Sequence, residues 1–412
     1  MTRRFTHSDP TALRGRACMV ATLSALSLTA AGCLEIEAFL FLPVGGDRIA
    51  RFFHRASALE DGSVMVTGGL GVQFVPLSLS TLDAVTFFDP RTNSFGFAHA
   101  PDGSIARMLT PRSSHTQTTL QDGRVLITGG RTGAAGTHVG SNLNSVEVYD
   151  PATGVFVNGP PMSARRADHT ASSLKDGRVV IAGGASWQVF GPAGDAWSED
   201  VQLQHRRSSH AAVVIEDFGG VDGEDRVLLI GGSGTGSNTI ELLDPCTMSS
   251  IIMSSTLAHG VDDLAAGRLP DGRILIVGGQ TSSGDTTNRS YLYDAANDAI
   301  VEAPKPPDRE GGIADHQLVV LGDFACVFGG EQQASGRDTE LDYFAVFDST
   351  IDQWVAHGSM HFAHDDFVAV PITENRVLLV GGGVSFLQNE APSRNAEVFE
   401  LTNSINGLLP PN

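Results

Sequence analysis

The chain has 412 residues, 41% of them hydrophobic and 18% charged, with 47 acidic residues against 27 basic ones and a net charge of −20. An apolar fraction of this size sustains a core and argues against global disorder. The acidic surplus, with Lys175 and Lys305 the only lysines, repels phosphate backbones and argues against nucleic-acid binding.

Residues 1–16 carry Arg3, Arg4, Arg14 and Arg16 against Asp9, and no charge follows from Ala17 to Ala31. As a helix that uncharged run reaches about 22 Å, short of the ~30 Å hydrocarbon core, so it reads as an export signal rather than a membrane span. It ends Thr29-Ala30-Ala31-Gly32-Cys33, which resembles the lipobox of bacterial lipoproteins. The resemblance implies a signal peptide over 1–32, a lipid on Cys33 and a short tether over 33–37. Plain secretion with cleavage near Ala31 is the alternative. A chain so anchored would be held to a bacterial membrane by its lipid alone, on the periplasmic or surface side of the outer membrane. Cys246 and Cys326 are expected as two separate buried thiols rather than a disulfide.

From residue 38 to residue 412 the chain is one unit used again and again. An apolar run closing in Gly-Gly ends at Gly69, Gly130, Gly184, Gly232, Gly279, Gly330 and Gly382, at intervals of about fifty residues. Ahead of four of these runs stands Asp-Gly, at Asp61-Gly62, Asp122-Gly123, Asp176-Gly177 and Asp271-Gly272. Asp-Gly between two strand-like segments predicts a two-residue hairpin with positive φ at both turn positions. The run after it is apolar throughout, so both faces of that strand must be covered. A third strand closes in Asp89-Pro90, Asp150-Pro151, Asp244-Pro245, Asp294 or Asp348, and a fourth opens on an aromatic or apolar residue such as Phe156 or Trp354. Four strands per unit, each sheet sandwiched by its neighbours, make a propeller blade.

The double Gly after strand two, the aromatic-Asp-Pro end of strand three and the aromatic start of strand four resemble the kelch repeat, in the style of bacterial and galactose-oxidase-type propellers. The expected fold is therefore all-β, a kelch-type β-propeller of seven four-stranded blades. The ring would be closed by Ala38–Val44 or by residues 405–411. In such a blade the Asp-Gly turns lie on one face, and the start of strand one and the loop after strand two lie on the other. The turn aspartates and the double glycines are then scaffold.

The start of strand one is the informative place. The first four blades read Arg51-x-x-His54, Arg112-x-x-His115, Arg166-x-x-His169 and Arg207-x-x-His210, and the last three carry Asp262 and Asp263, Asp315, and Asp365 and Asp366. These residues would form a mouth with an Arg/His arc facing an Asp arc. In one reading they tie adjacent blades together through backbone carbonyls. In the other they are a polar pocket whose Arg forks bind carboxylates or sugar hydroxyls. No spacing among His361, His364, Asp365, Asp366 and the other acids is diagnostic of a metal, and no cofactor is expected.

The copper-radical oxidases of the same architecture need tyrosine ligands and a cross-linked Cys. Here Tyr149, Tyr291 and Tyr293 fall in strand three, away from the channel. The resemblance also reaches periplasmic kelch propellers that epimerise sialic acid, which would use a carboxylate or His as acid/base and an Arg as carboxylate holder. The reading that asks least of the residues is a monomeric binding module. It would meet a protein or glycan partner through the long loops after strand two in blades one, two and seven. The sugar-acid enzyme is the alternative.

Overall fold

The computed structural model describes residues 38–402, apart from 75–76, 134–140, 195, 222, 335–336 and 387–388. Cys18, Cys33, the signal and tether assigned to 1–37, and the closing segment considered at 405–411 lie outside the described residues. The described chain is nearly all strand, arranged as seven four-stranded antiparallel blades, with five two-stranded ribbons beside them. Blade two shows the pattern: Thr116–Thr119, Val125–Thr128, Val146–Asp150 and Val155–Gly159 run from the axis outward. The first strands of the seven blades touch one another in a closed circle, so they line the central channel.

The core is not one cluster but seven, each lying between two adjacent blades. Strand two of blade two shows why its sequence does not alternate. Val125 and Ile127 pack toward blade one, while Leu126 packs toward blade three. Both faces are therefore dry, and every residue of the strand is buried.

Closure is made by the N-terminal segment. Ala38–Pro43 pairs antiparallel with Ala396–Thr402 and forms the outer strand of blade seven. The ring is thus latched by hydrogen bonds between the two ends of the described chain. Phe39 and Phe41 stack against Phe344 and Phe399 at that seam.

Two sequence expectations need correction. The Asp-Gly turns are not two-residue hairpins with both residues at positive φ. Only the glycines adopt it, Gly62 at +82° and Gly123 at +81°. Leu59 N–H donates to Ser63 O and Gly62 N–H to Leu59 O, so the turn spans Leu59 to Gly62 with Gly in the left-handed position. The Asp side chain instead caps the turn by accepting from Ser63 N–H at 2.9 Å, which an Asp can do without leaving ordinary φ. The second correction concerns the thiols: Cys326 is buried but Cys246 is exposed, because it follows Asp244-Pro245 in a surface turn.

The double glycines are required by contact as well as by φ, except at Gly184 of blade three, where a Cβ would meet nothing within 4 Å. A Cβ on Gly129 (φ +59°) would stand 2.6 Å from Arg166 O and 2.8 Å from His169 Cε1 of the next blade. Its partner Gly130 (φ +94°) would meet Ser113 O at 2.6 Å and His115 Cβ at 2.9 Å. By contrast a Cβ on Gly62 meets nothing within 4 Å. Gly129→Ala is therefore expected to cost about 3 kcal/mol or more, from left-handed strain plus overpacking. Gly62→Ala should cost only about 1 kcal/mol. Urea unfolding of the two variants checks this, and equal losses would refute the contact argument.

Candidate functional site

Seven four-residue entrances lead into the seven first strands, and they superimpose by role. The first position is Arg51, Arg112, Arg166, Arg207, Val261, Ile313 and His364. All four arginines are buried, with at most 3% of their surface exposed; they do not line an open mouth. Each guanidinium turns into its own blade. Arg112 Nη1 donates to Gly129 O at 2.7 Å and Ser145 O at 3.2 Å, and Nη2 pairs with Glu147 at 2.6 Å. Arg207 repeats this with Gly231 O, Thr239 O and Glu241. Arg166 does so with Gly183 O, Ser186 O and Asp200. Arg51 uses Gly68 O, Ala84 O and Asp47. The arginine thereby reaches the carbonyl of the first glycine of the pair and, in blades one, two and four, adds a second donor to the carbonyl that opens strand three, which already accepts from that glycine's N–H, as Ser145 O does from Gly129.

The partner acids Glu147, Glu241 and Glu397 are buried residues the sequence reading did not single out. Their signal was present: each is an acid early in a third strand with an apolar residue on either side, in blades two, four and seven. In blade seven His364 stands in for Arg, with Nδ1 2.9 Å from Gly381 O and Nε2 3.3 Å from Glu397. His361 approaches the same carboxylate at 3.1 Å. In blades five and six the first position is apolar. Val261 there shares a cluster with Tyr291, the residue at the Glu position.

The fourth position reaches the preceding blade. His115 Nε2 lies 2.9 Å from Thr67 Oγ1, His169 2.9 Å from Thr128 Oγ1, His210 3.0 Å from Thr170 Oγ1, and His54 3.1 Å from Val380 O. Of the two roles, the histidines bridge blades and the arginines brace their own. Burial, then the positive charge of the nearby arginine, holds His54, His115 and His169 well below the ordinary imidazole pKa, and His210 at about 3. They are neutral at physiological pH.

The third position forms a belt. Phe53, Ser114, Asp168, Ser209, Asp263, Asp315 and Asp366 all adopt φ between +50° and +53°. Six of the seven donate their N–H to the carbonyl of the same position one blade earlier, as Ser114 does to Phe53 and Asp315 to Asp263. The belt brings Asp168 together with Asp263, Asp315 and Asp366, so acid is not confined to one arc. Asp262 and Asp365, at the second position, lie half-buried and buried beside it. Arg55, at the start of the first channel strand, interacts electrostatically with Asp168, Asp366 and Asp315. Burial, then the charge of Asp262, lifts the Asp263 carboxyl to about 6. Burial, then the charges of Asp263, Asp366 and Asp365, lifts Asp315 well above the carboxylate range. Among the described residues no group of three His, Cys, Asp or Glu side chains is placed to hold a metal ion.

Above the belt stand the segments that follow strand two. They fold into ribbons at Leu70–Phe74 with Leu77–Thr81, Arg131–Thr132 with Ser141–Asn142, Glu331–Ala334 with Arg337–Glu340, and Gly383–Phe386 with Asn389–Pro392. These belong to blades one, two, six and seven, so blade six adds a projection that the sequence reading did not name. The ribbons of blades six, seven and one touch in series. Thr81 N–H donates to Gly133 O in blade two, and Gln280 of blade five bonds Gln333 of blade six. Blade three breaks this crown: its second and third strands run through Val179–Phe190 with no intervening ribbon.

The sequence profile of the Kelch motif matches residues 112–163, which span blade two from its bracing Arg112 through its fourth strand. Over 185 residues the chain is 24% identical to spermatocyte protein spe-26 of Caenorhabditis elegans, covering 42% of this chain and 30% of that protein. It is 24% identical over 362 residues to putative adagio-like protein 2 of Oryza sativa subsp. japonica, covering 78% of this chain and 53% of that protein. The chain therefore spans about half or less of the length of these relatives. The fold is a seven-bladed kelch-type propeller.

Two expectations follow from this geometry. Arg112→Val should cost about 3–5 kcal/mol because it strands the buried Glu147, whereas Arg112→Val with Glu147→Tyr, the pairing of blade five, should recover most of that loss. A double variant as unstable as the single one, by urea unfolding, would sink the view of the pair as a brace. The second concerns pH. The depressed histidines, with His316 at about 3, bind fewer protons folded than unfolded, so the stability they contribute is present above pH 6.5 and lost as pH falls toward 3. Asp263 and Asp315 have the opposite sign: their contribution is present below pH 3.8 and lost as pH rises, for Asp263 through about 6. Asp263→Asn is thus expected to raise the urea midpoint at pH 8 and to leave a decline below pH 6.5. A midpoint unchanged by the substitution at pH 8 would count against the repulsion among these acids.

Proposed function

We propose that this chain is an exported, lipid-anchored binding module whose working surface is the crown of ribbons on the strand-two loop face. One observation carries the reading. The Arg/His sets at the strand entrances are consumed in bracing and bridging the ring, whereas the crown adds paired backbone that the seven interblade cores do not need. A ring that holds itself together without its loops is free to vary them, and that separation of scaffold from contact surface is what a binding module requires. The partner is a protein or a glycan of the envelope. Anchorage would come through Cys33, which precedes the latching strand by only a few residues and would hold the ring close to the membrane.

The sugar-acid enzyme retains only half of its site. Asp263 and Asp315 are carboxyls raised toward acid/base use, but the arginines that would hold a substrate carboxylate are buried and engaged.

The test pairs two variants with the wild type. One replaces residues 70–81 and 383–392 by short Gly-Ser turns; the other is Asp122→Ala, on the opposite face. Both should keep cooperative unfolding, and only the crown variant should lose at least tenfold in binding to envelope material in cross-linking. Binding that survives crown removal would overturn the reading. In the same cells Cys33→Ser should shift the protein from the membrane to the soluble fraction, and unchanged fractionation would refute the anchor.

A further inference from the structure

The gap that blade three leaves in the crown is a cleft of about 300 Å³. It exists because Gly183 and Gly184 (φ +149° and +74°) carry the chain from strand two into strand three with only Ala185 before Ser186. No ribbon stands between Asn142 of blade two and Ser233 of blade four, and both line the opening.

The lining has an unusual charge for this chain. Blades three and four are the two whose bracing arginine is preceded by a second one: Arg165-Arg166 and Arg206-Arg207, against Ala50-Arg51 and Pro111-Arg112. In each pair the second side chain is buried in its blade and the first is exposed at the cleft. Arg165 is held by donation from Nη1 to Asn142 O at 2.9 Å. Arg206 has no hydrogen-bond or ion-pair partner among the described residues. Other arginines on this acidic surface meet an acid, as exposed Arg107 does Asp83 and half-buried Arg289 does Glu302, and exposed Arg48 donates to Phe95 O. Two exposed cations without an acid partner, at the edge of one open cleft on a protein of net charge −20, make a local anion site.

The remaining lining sets the rest of the ligand. Arg131 closes the channel side in an ion pair with Asp168. Ser208 and Ser233 share a hydrogen bond at 2.8 Å and can each accept or donate another. Among the described lining residues Ala167 is the only one bearing an apolar side chain, so they favour a polar ligand over an aromatic or aliphatic one. The volume is at the small end for ligand sites.

We propose that this cleft binds a small polyhydroxylated carboxylate of the uronic-acid class, with its carboxylate on Arg165 and Arg206 and its hydroxyls toward Asn142, Ser208 and Ser233. The proposal rests on the loop face being the binding face, and it adds a ligand class and a location off the central axis. A free monosaccharide and the end residue of an acidic glycan present the same chemistry.

Calorimetric titration of the full chain with D-galacturonate is the test, with D-galactose and acetate as the neutral and the bare-carboxylate arms. One saturable site is expected, at least tenfold weaker for galactose and for acetate, and weakened by added salt. Arg165→Gln and Arg206→Gln should each weaken galacturonate at least fivefold, while Arg107→Gln should not. Trigalacturonate binding tighter than the monomer would identify a glycan end, and equal binding a free sugar. Absence of saturation, equal affinity for acetate, or indifference to both substitutions would overturn the proposal. The crown variant lacking residues 70–81 and 383–392 leaves this cleft in place. Partner loss with galacturonate binding retained, or the reverse, therefore separates failure of this site from failure of the wider reading.

Discussion

Everything in this ring depends on the clasp between the end of strand two in one blade and the entrance of strand one in the next. In six blades the second glycine donates its N–H across that boundary, as Gly130 does to Arg166 O, Gly330 to His364 O and, where the ring returns to its start, Gly382 to Arg51 O; in blade three Gly184 stands opposite Arg207 in the sheet register. Because the clasp is backbone to backbone, it is indifferent to side chains and can be repeated with degenerate sequence. Outside blade three the donor residue must lack a Cβ, since a nearby carbonyl and the fourth-position side chain already fill the space, as Ser113 O and His115 do at Gly130. The belt of left-handed residues one step further along the entrance repeats the same logic around the channel. Each blade is thus fixed to the next by main-chain bonds before any core contact is counted.

Once the backbone clasp is in place, each entrance is braced against its own blade, and the chain does this in different ways. Four blades use a buried arginine and an acid, one uses His364 with Glu397, and two dispense with charge through Val261 and Ile313. Buried ion pairs and well-packed apolar groups are close to interchangeable in energy, provided neither charge is left alone. The repeat has exchanged them as pairs. The same accounting explains why the Arg/His sets are unavailable for ligands: a guanidinium already making three or four bonds in a dry site would have to be extracted to act elsewhere.

The loop face is built on the opposite principle. Ribbons there pair within themselves and lean on one another, so length can change blade by blade without disturbing the clasp. Where the ribbon is long, the crown rises; where it is reduced to a turn, as in blade three, a cleft opens and the residues flanking the two neighbouring entrances come to its edge. Function in this architecture is set as much by which loop is missing as by which is present.

Much of the fold was legible in the residues. Apolar runs ending in Gly-Gly, Asp-Gly ahead of them and Asp-Pro beyond them report local geometry: which strand is covered on both faces, where the chain turns, and where it must lack a Cβ. Those are short-range requirements, so they are written at the positions that obey them, and seven copies in one chain determined the number of blades. The burial of Arg51, Arg112, Arg166 and Arg207, their pairing with Asp47, Glu147, Asp200 and Glu241, the register in which Ala38–Pro43, one of the two candidate closing segments, meets Ala396–Thr402, and the cleft beside Arg165 and Arg206 were not legible. Each depends on segments distant in sequence, or on which way a side chain leaves its Cα. An Arg at a channel entrance reads the same whether it faces water or a buried glutamate. Only the packed ring decided between them, because it sets the carbonyl of the first glycine and a buried acid within reach of the guanidinium.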